Sequence, residues 1–452
     1  MANTSIRRTN SGNGNRKKWT VSWWEKKNKL GAVQRIFSCD EAGNNNHDDF
    51  FQWQTDDKLV IGFYDSGYYL NLTPDRNFRD TNGWYHFVFT WDTAQATASD
   101  RAKFYINGVR ETVFATETYP SQNQDSFINT TEPIEIGKRS DNDTQYLEST
   151  LSHIHFCDGY AYTPSDFGST DSTTGEWKIN TSPSVSYGTN GFFILKDGNS
   201  LTDESPNSNN WSSVSGTLTN TEDCPDNVFC TLNPLDCDLV SGLSNGNNTF
   251  SGFNTGTDYS ATSSTLSASS GKFYWEAKVT DLAEIDQVGV RLQNGVSMSI
   301  QGSNGSAGLQ GTAYGGKSVQ FSNGNKAGDG AQSAYMGGFS ANDIIMVALD
   351  LDNNKITFCR NGQWSDGSGN ANQTYANSTA AFTNLTAGEF YCPAQTSRSY
   401  GSNSGTTQYN FGNGYFGTTA ISSEGTNASN IGKFEYDIPS GFTALSTKGL
   451  NE

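Results

Sequence analysis

No stretch of this chain stays apolar for anything near the roughly 20 residues that a bilayer-spanning helix needs, so no membrane insertion is expected. The N-terminal "MANTSIRRTNSGNGN" lacks the apolar core of a Sec-type signal, and a soluble protein released by some other route is expected. Positive charge is scarce: Lys and Arg total 29 against 47 Asp and Glu, for a net charge of -18. A surface of that sign repels duplex nucleic acid and anionic membranes, so no nucleic-acid partner is expected. The one basic cluster, "NRKKWTVSWWEKKNK" (15–29), surrounds a Trp-rich run, and its charges read as a solvated strand edge.

Cysteine is too sparse for a disulfide scaffold, with seven in 452 residues, an odd number. Cys224, Cys230 and Cys237 cluster without a CxxC spacing or a neighbouring His, which argues against zinc. Free thiols are expected, and one bridge within this cluster stays open. No G-x-S-x-G, H-E-x-x-H or Walker sequence occurs, and no Ala/Leu/Glu/Lys run predicts a long helix.

What the chain does have is 13% aromatic residues, 47 glycines, and abundant Asn, Ser and Thr between short apolar runs. That pattern predicts sheets with many turns. "KWTVSWWEKK", "GWYHFVFTWD", "AKFYINGVRETVFA", "IEIGKR" and "LSHIHFCDGYAY" read as strands of a first antiparallel sandwich. Asn107-Gly108 inside the third run tolerates positive φ at both turn positions and predicts a hairpin. After Tyr162, Thr163 or Ser165 can cap one short helical turn. "GFFILKDG" is the one convincing strand between Gly168 and Pro225 and reads as a return to the first sandwich. A second set follows in "GKFYWEAKV", "QVGVRL", "DIIMVALDLD", "KITFCRNGQW", "EFYCPAQ" and "QYNFGNGYF". The expected organisation is a jelly roll over 1–200, a Ser/Asn/Asp-rich connector over 201–227 and a second sandwich over 228–452.

"DLDNNKITFCRNG" poses a choice, because Asp350, Asp352 and Asn354 alternate like the first ligands of a calcium loop. Such a loop needs Gly at its sixth position and Glu at its twelfth; here they are Lys355 and Asn361. Ile345, Val347 and Leu349 alternate before the Asn pair, and Ile356 and Phe358 after it, so a hairpin is predicted.

The second half resembles a SPRY domain, on "GKFYWEAKV", "VGVRL", "NDIIMVALDLDNNKITFCRNGQW", "FYCPA" and "YNFGNGYF". The first half resembles a concanavalin A-like jelly roll of the laminin-G/pentraxin type, on "KWTVSWWEKK", "GWYHFVFTWD", "KFYINGV" and "IEIGKR…LSHIHFCDGYAYTPSDF". The combination is similar to virion proteins of tailed phages, which share phrases such as "DGYAYTPSDFG", "FCTLNPLD" and "DIPSGFTALSTKGLN". It departs from a full-length tail fibre in showing no evident fibrous shaft. The resemblances imply an all-β protein of two tandem antiparallel sandwiches and a non-enzymatic role on a virion, as tail fibre or as capsid or neck decoration. They imply a homo-oligomer whose partners are other virion proteins and a host-surface glycan or receptor. A cellular protein-interaction module and a glycan hydrolase are the alternatives.

Candidate residues follow. "EIDQVG" opens like a glucanase E-x-D-x-x-E, with Glu284 and Asp286, but Gly289 stands where the second Glu belongs. His153, His155 and Cys157 alternate on one strand, as ligands would, yet packed, hydrogen-bonded histidines are expected there. "GNGYFG" lacks a following helical pattern and is no dinucleotide loop. A glycan site wants aromatic rings for the apolar sugar face beside polar groups for the hydroxyls. Trp53, Tyr64, Tyr68 and Tyr69 in the first half, and Tyr314, Tyr335 and Trp364 in the second, are the candidates. No cofactor is expected except calcium, for which the relatives' chemistry singles out Asp48 or Asp49.

Overall fold

The computed structural model of the chain describes residues 3–40, 47–252, 260–283, 285–298, 309, 311–398 and 405–452. It divides into two compact units, Met1–Asn220 and Thr221–Glu452. Both are built almost wholly of antiparallel strands, and each is a β-sandwich.

The first unit stacks an eight-stranded sheet on a six-stranded one. The larger runs in the order Phe114–Thr118, Tyr68–Pro74, Leu59–Asp65, His47–Trp53, Gln34–Asp40, Pro133–Ile136, Ser5–Thr9, Ser212–Ser215. The smaller runs Phe192–Ile194, Ser149–Asp158, Lys18–Lys27, Tyr85–Asp92, Ala102–Ile106, Val109–Arg110. Strand alternation sends Trp19, Val21, Trp23, Phe87, Phe89 and Trp91 of the smaller sheet into one core with Phe51, Trp53, Ile61 and Phe63 of the larger. The return strand is present, with Ile154 opposite Ile194. Residues 201–220 pack in this unit as well: Ser212–Ser215 pairs with Ser5–Thr9, and Trp211 sits edge-on to Phe192 at 4.9 Å.

One expectation is corrected here. The charges of the 15–29 run are not all solvated, because Glu25 and Lys27 continue the inward parity of Trp19 and Trp23 and are fully buried. Glu25 accepts from the indole N–H groups of Trp53 (2.8 Å) and Trp23 (3.1 Å) and from Ser149 Oγ (2.7 Å). Lys27 meets Asp57 at 3.1 Å.

The outer face of the smaller sheet is also covered. A hairpin of Gly168–Thr170 and Trp177–Ile179 brings Trp177 onto His86, and Val88, Cys157, Phe167, Tyr187 and Phe193 form a second small core. His153 and His155 are packed and hydrogen-bonded, the first to Ser152 Oγ at 2.7 Å and the second to Tyr187 Oη at 3.0 Å. The helical turn is the 3-10 turn Pro164–Asp166 behind Thr163.

The second unit stacks a seven-stranded sheet on a nine-stranded one. Trp275, Val288, Val290, Ile345, Val347, Leu349, Phe358 and Tyr409 fill the space between them. The other face of the nine-stranded sheet, with Tyr274, Met346 and Cys359, is covered by the C-terminal segment through Phe416, Phe434 and Phe442. The "DLDNNKITFCRNG" stretch is a hairpin: Asp350 pairs with Lys355, and Asp350 Oδ1 accepts from Asn353 N at 3.1 Å. Asp352 turns away to accept Gly271 N at 2.8 Å. Asp350 thus caps a backbone N–H of the turn, and Asp352 one of the neighbouring segment. All seven cysteines are free thiols, including the cluster at 224–237.

Candidate functional site

The outer face of the eight-stranded sheet gathers the polar and aromatic side chains that strand parity keeps out of the core. In "HDDFFQW", Asp49, Phe51 and Trp53 point inward, leaving Asp48, Phe50 and Gln52 outside. Arg35 on the adjacent strand lies over the Phe50 ring, 3.8 Å from its centre. It binds Asp48 with both terminal nitrogens, at 2.9 and 2.7 Å. Its Nε donates to Gln145 Oε1 at 3.0 Å. On the other neighbouring strand, Gly62 stands opposite Phe50, and a Cβ there would come within 2.5 Å of the ring. Glycine at 62 therefore lets Phe50 lie flat on the sheet. Tyr68 stands edge-on to Phe50 (6.4 Å) and to Tyr64 (5.3 Å), and is 48% exposed.

Asp40 faces Asp48 across the strand pair. Burial, with the Asp48 carboxyl beside it, pushes Asp40 up to about 7. Its Oδ2 accepts from Ser140 Oγ at 2.6 Å. The Arg35 fork meanwhile occupies both Asp48 oxygens. This face thus presents the exposed Tyr68 ring beside a largely buried cation–carboxylate pair, the Arg35 and Asp48 side chains being 4% and 12% exposed.

Of the expected residues, the structure brings Tyr64, Tyr68 and Asp48 together on this face. It places the others elsewhere. Trp53 is fully buried, with its N–H on Glu25 and the Lys27 ammonium over its ring at 4.2 Å. Tyr69 points to the opposite side, where its hydroxyl donates to Asp49 Oδ1 at 2.5 Å. Tyr335 is core, donating to Thr379 O at 2.8 Å and accepting from Phe358 N at 3.3 Å. Trp364 is 4% exposed against Tyr375, and Tyr314 is buried under Arg291 at 5.6 Å. The expectation that Trp53, Tyr314, Tyr335 and Trp364 face a ligand is therefore corrected: each ring is buried, Trp53 and Tyr335 in the main cores with their polar tips satisfied internally.

Asp48 and Asp49 are consecutive on a strand and so lie on opposite sides of the sheet; they cannot grip one ion together. Asp49 accepts Phe127 N (2.7 Å) and Ile128 N (3.2 Å) as well as Tyr69, and burial pushes it up to about 8. Among the described residues, no group of three or more His, Cys, Asp or Glu is placed to hold a metal ion. Glu284 lies outside the described residues. Asp286 is buried, accepts Ala283 N at 2.8 Å and is raised to about 6 by that burial. Sequence reasoning missed Arg35, Phe50 and Gly62. The parity of "HDDFFQW" locates Phe50, but nothing local announces the Arg35 stack.

Residues 2–166 match the family model of the concanavalin A-like lectin/glucanases superfamily, and the sandwich above has that fold. No curated protein matches the chain by sequence. Among solved structures, the SPRY domain of human HERC1 is similar at 16% identity and TM-score 0.28, over 39% of this chain and 96% of its own. The heptameric SAP-like pentraxin of Limulus polyphemus is similar at 16% identity and TM-score 0.29, over 48% of this chain and 90% of its own. Domain 4 of an extracellular arabinanase from Geobacillus stearothermophilus, solved with arabinotriose, is similar at 19% identity and TM-score 0.26, over 33% of this chain and 65% of its own. At these TM-scores none of the three carries an argument, and the fold rests on strand order, register and the family match.

Proposed function

We propose that this chain is a non-enzymatic structural protein that binds glycan through the outer face of its eight-stranded sheet. It acts on a tailed-phage particle, as tail fibre or as capsid or neck decoration, and attaches that particle to the host surface. The observation that carries the binding reading is the exposed Tyr68, set against Phe50 and Tyr64 beside the Arg35–Asp48 pair. A ring of that kind covers the apolar face of a sugar, while the buried Arg35–Asp48 pair holds Phe50 in place beside it. The carboxyl geometry supports binding over hydrolysis. Retaining glycosidases hold their carboxyls about 5 Å apart with one free to attack, whereas Asp40 is buried on Ser140 and both Asp48 oxygens are tied to Arg35. The phage reading rests on the sequence phrases quoted above, and many copies on a particle turn weak sugar contacts into firm attachment.

Tyr68→Ala is expected to weaken binding to host envelope polysaccharide about tenfold, the worth of one aromatic contact of roughly 1.4 kcal/mol. Titration calorimetry measures it, and the exposed ring can be removed without disturbing the circular-dichroism spectrum. An unchanged affinity for the Tyr64→Ala/Tyr68→Ala double variant rejects this face. Peptide mass spectrometry of purified phage particles is expected to recover the protein, and its absence there rejects the virion assignment.

A further inference from the structure

Lys27 and Asp57 form a buried ion pair inside the first unit, apart from the proposed glycan-binding face. The Lys27 side chain is 1% exposed and that of Asp57 5%, and Lys27 Nζ stands 3.1 Å from Asp57 Oδ1. Aromatic rings close the space: the ammonium lies 4.2 Å from the centre of the Trp53 ring, and its second hydrogen bond goes to Phe78 O at 3.2 Å. Around the carboxyl, Gly31 N donates to Oδ1 at 2.9 Å, and Arg79 Nε donates to Oδ2 at 3.2 Å. Glu25 is buried two residues upstream on the same strand face.

We infer that Lys27 and Asp57 are joined by an intramolecular isopeptide bond. The reaction needs only these two side chains. Within the pair the ammonium passes a proton to the carboxylate, leaving a neutral amine and a neutral acid. The amine nitrogen attacks Cγ, forming the C–N bond, while Gly31 N–H and Arg79 stabilise the charge that builds on the carboxyl oxygens. The Cγ–Oδ2 bond then breaks, and the departing hydroxyl takes a proton from the nitrogen. One water leaves, Oδ1 remains as the amide oxygen on Gly31 N–H, and no oxidant or cofactor takes part. Two features favour the step. A nitrogen held against the carboxyl it attacks, here 3.1 Å from Oδ1, gains from proximity, for which well-oriented intramolecular reactions reach effective molarities of roughly 10⁵ M and above. Burial also pushes the Lys27 ammonium below its ordinary range, which favours the nucleophilic amine.

The bond would close the chain between residues 27 and 57, tying the smaller sheet to the turn that precedes Leu59–Asp65. The test is electrospray mass spectrometry of the intact full chain. The expected mass is about 18 Da below that of the amino-acid sequence, the loss of one water. A tryptic digest is expected to yield a branched peptide joining Lys27 to Asp57, uncleaved after Lys27. Lys27→Arg, which keeps a buried cation but no acylatable amine, is expected to restore the full mass. A wild-type chain at full mass overturns the inference and leaves a buried ion pair. A deficit that persists in Lys27→Arg overturns it too, by placing the lost water elsewhere. Should that variant fail to fold, the wild-type digest decides alone.

Discussion

Glu276→Ala is expected to lower the unfolding free energy of the second unit by about 4 kcal/mol, among the larger effects a single substitution produces. The carboxylate sits on the strand Lys272–Asp281 and is fully buried. Four donors converge on it: Tyr274 Oη at 3.0 Å, Asn410 Nδ2 at 3.2 Å, Glu435 N at 2.9 Å and Tyr436 N at 2.9 Å. Two of these are backbone groups of the C-terminal segment that covers Tyr274 and Cys359. Alanine removes the acceptor from all four, leaving Asn410 Nδ2 only its bond to Lys433 O, and opens a cavity besides. Glutamine is the informative second variant, because its NH₂ faces two N–H or O–H donors, so it is expected to lose part of the stability despite matching the shape. Urea denaturation reads the loss. Hydrogen exchange at the amides of 435 and 436 reads its location, and an unchanged midpoint with protected amides refutes the anchor.

Acid is expected to destabilise the first unit through its histidines, and His86 is the clearest case. All four histidines of the chain lie in this unit. The His86 ring is stacked between Trp24 at 4.7 Å and Trp177 at 5.9 Å. Its Nδ1 accepts from Trp177 Nε1 at 2.9 Å, so the neutral ring carries its proton on Nε2 and donates to Ser22 Oγ at 2.8 Å. Burial pushes His86 down to about 3 and His153 to about 4, and holds His155 well below the usual histidine range. The sign follows from proton counting. Between the ordinary 6.5 and the depressed folded value, the unfolded chain binds a proton that the folded one refuses. Stability from this residue is therefore complete above pH 6.5 and is lost as pH falls, by about 1.4 kcal/mol per unit.

The raised carboxylates Asp40 and Asp49 act in the opposite direction over the same range, gaining stability as pH falls. The decisive quantity is thus a difference. Against His86→Phe, the wild type is expected to lose about 3 kcal/mol between pH 6.5 and pH 4. Parallel pH profiles for the two proteins would show that His86 is protonated in the folded state.

The sequence features that proved legible are those whose cause is local. Asn107 and Gly108 adopt φ of 47° and 81°, as a two-residue hairpin demands of that dipeptide. The Asp350 hairpin could be decided from two missing ligands and an alternating apolar pattern. Tyr64 and Tyr68 were legible as a pair because a short turn holds them together. Trp53, Tyr335 and Trp364 were not, since a ring reads the same in sequence whether or not another segment lies over it. The Ser/Thr/Asn-rich stretch after Gly168 gave no sign that its Trp177 would stack on a histidine 91 residues away.

By itself, then, the order of amino acids determined that this is an all-β protein of tandem antiparallel sandwiches, since alternation and turn chemistry act over a few residues. Only the tertiary structure decided which polar groups are sealed in, because that depends on what distant segments cover. Charges that look solvated in "SWWEKKNK" became a buried network, and the aspartates at 48 and 49 parted to opposite sides of one sheet.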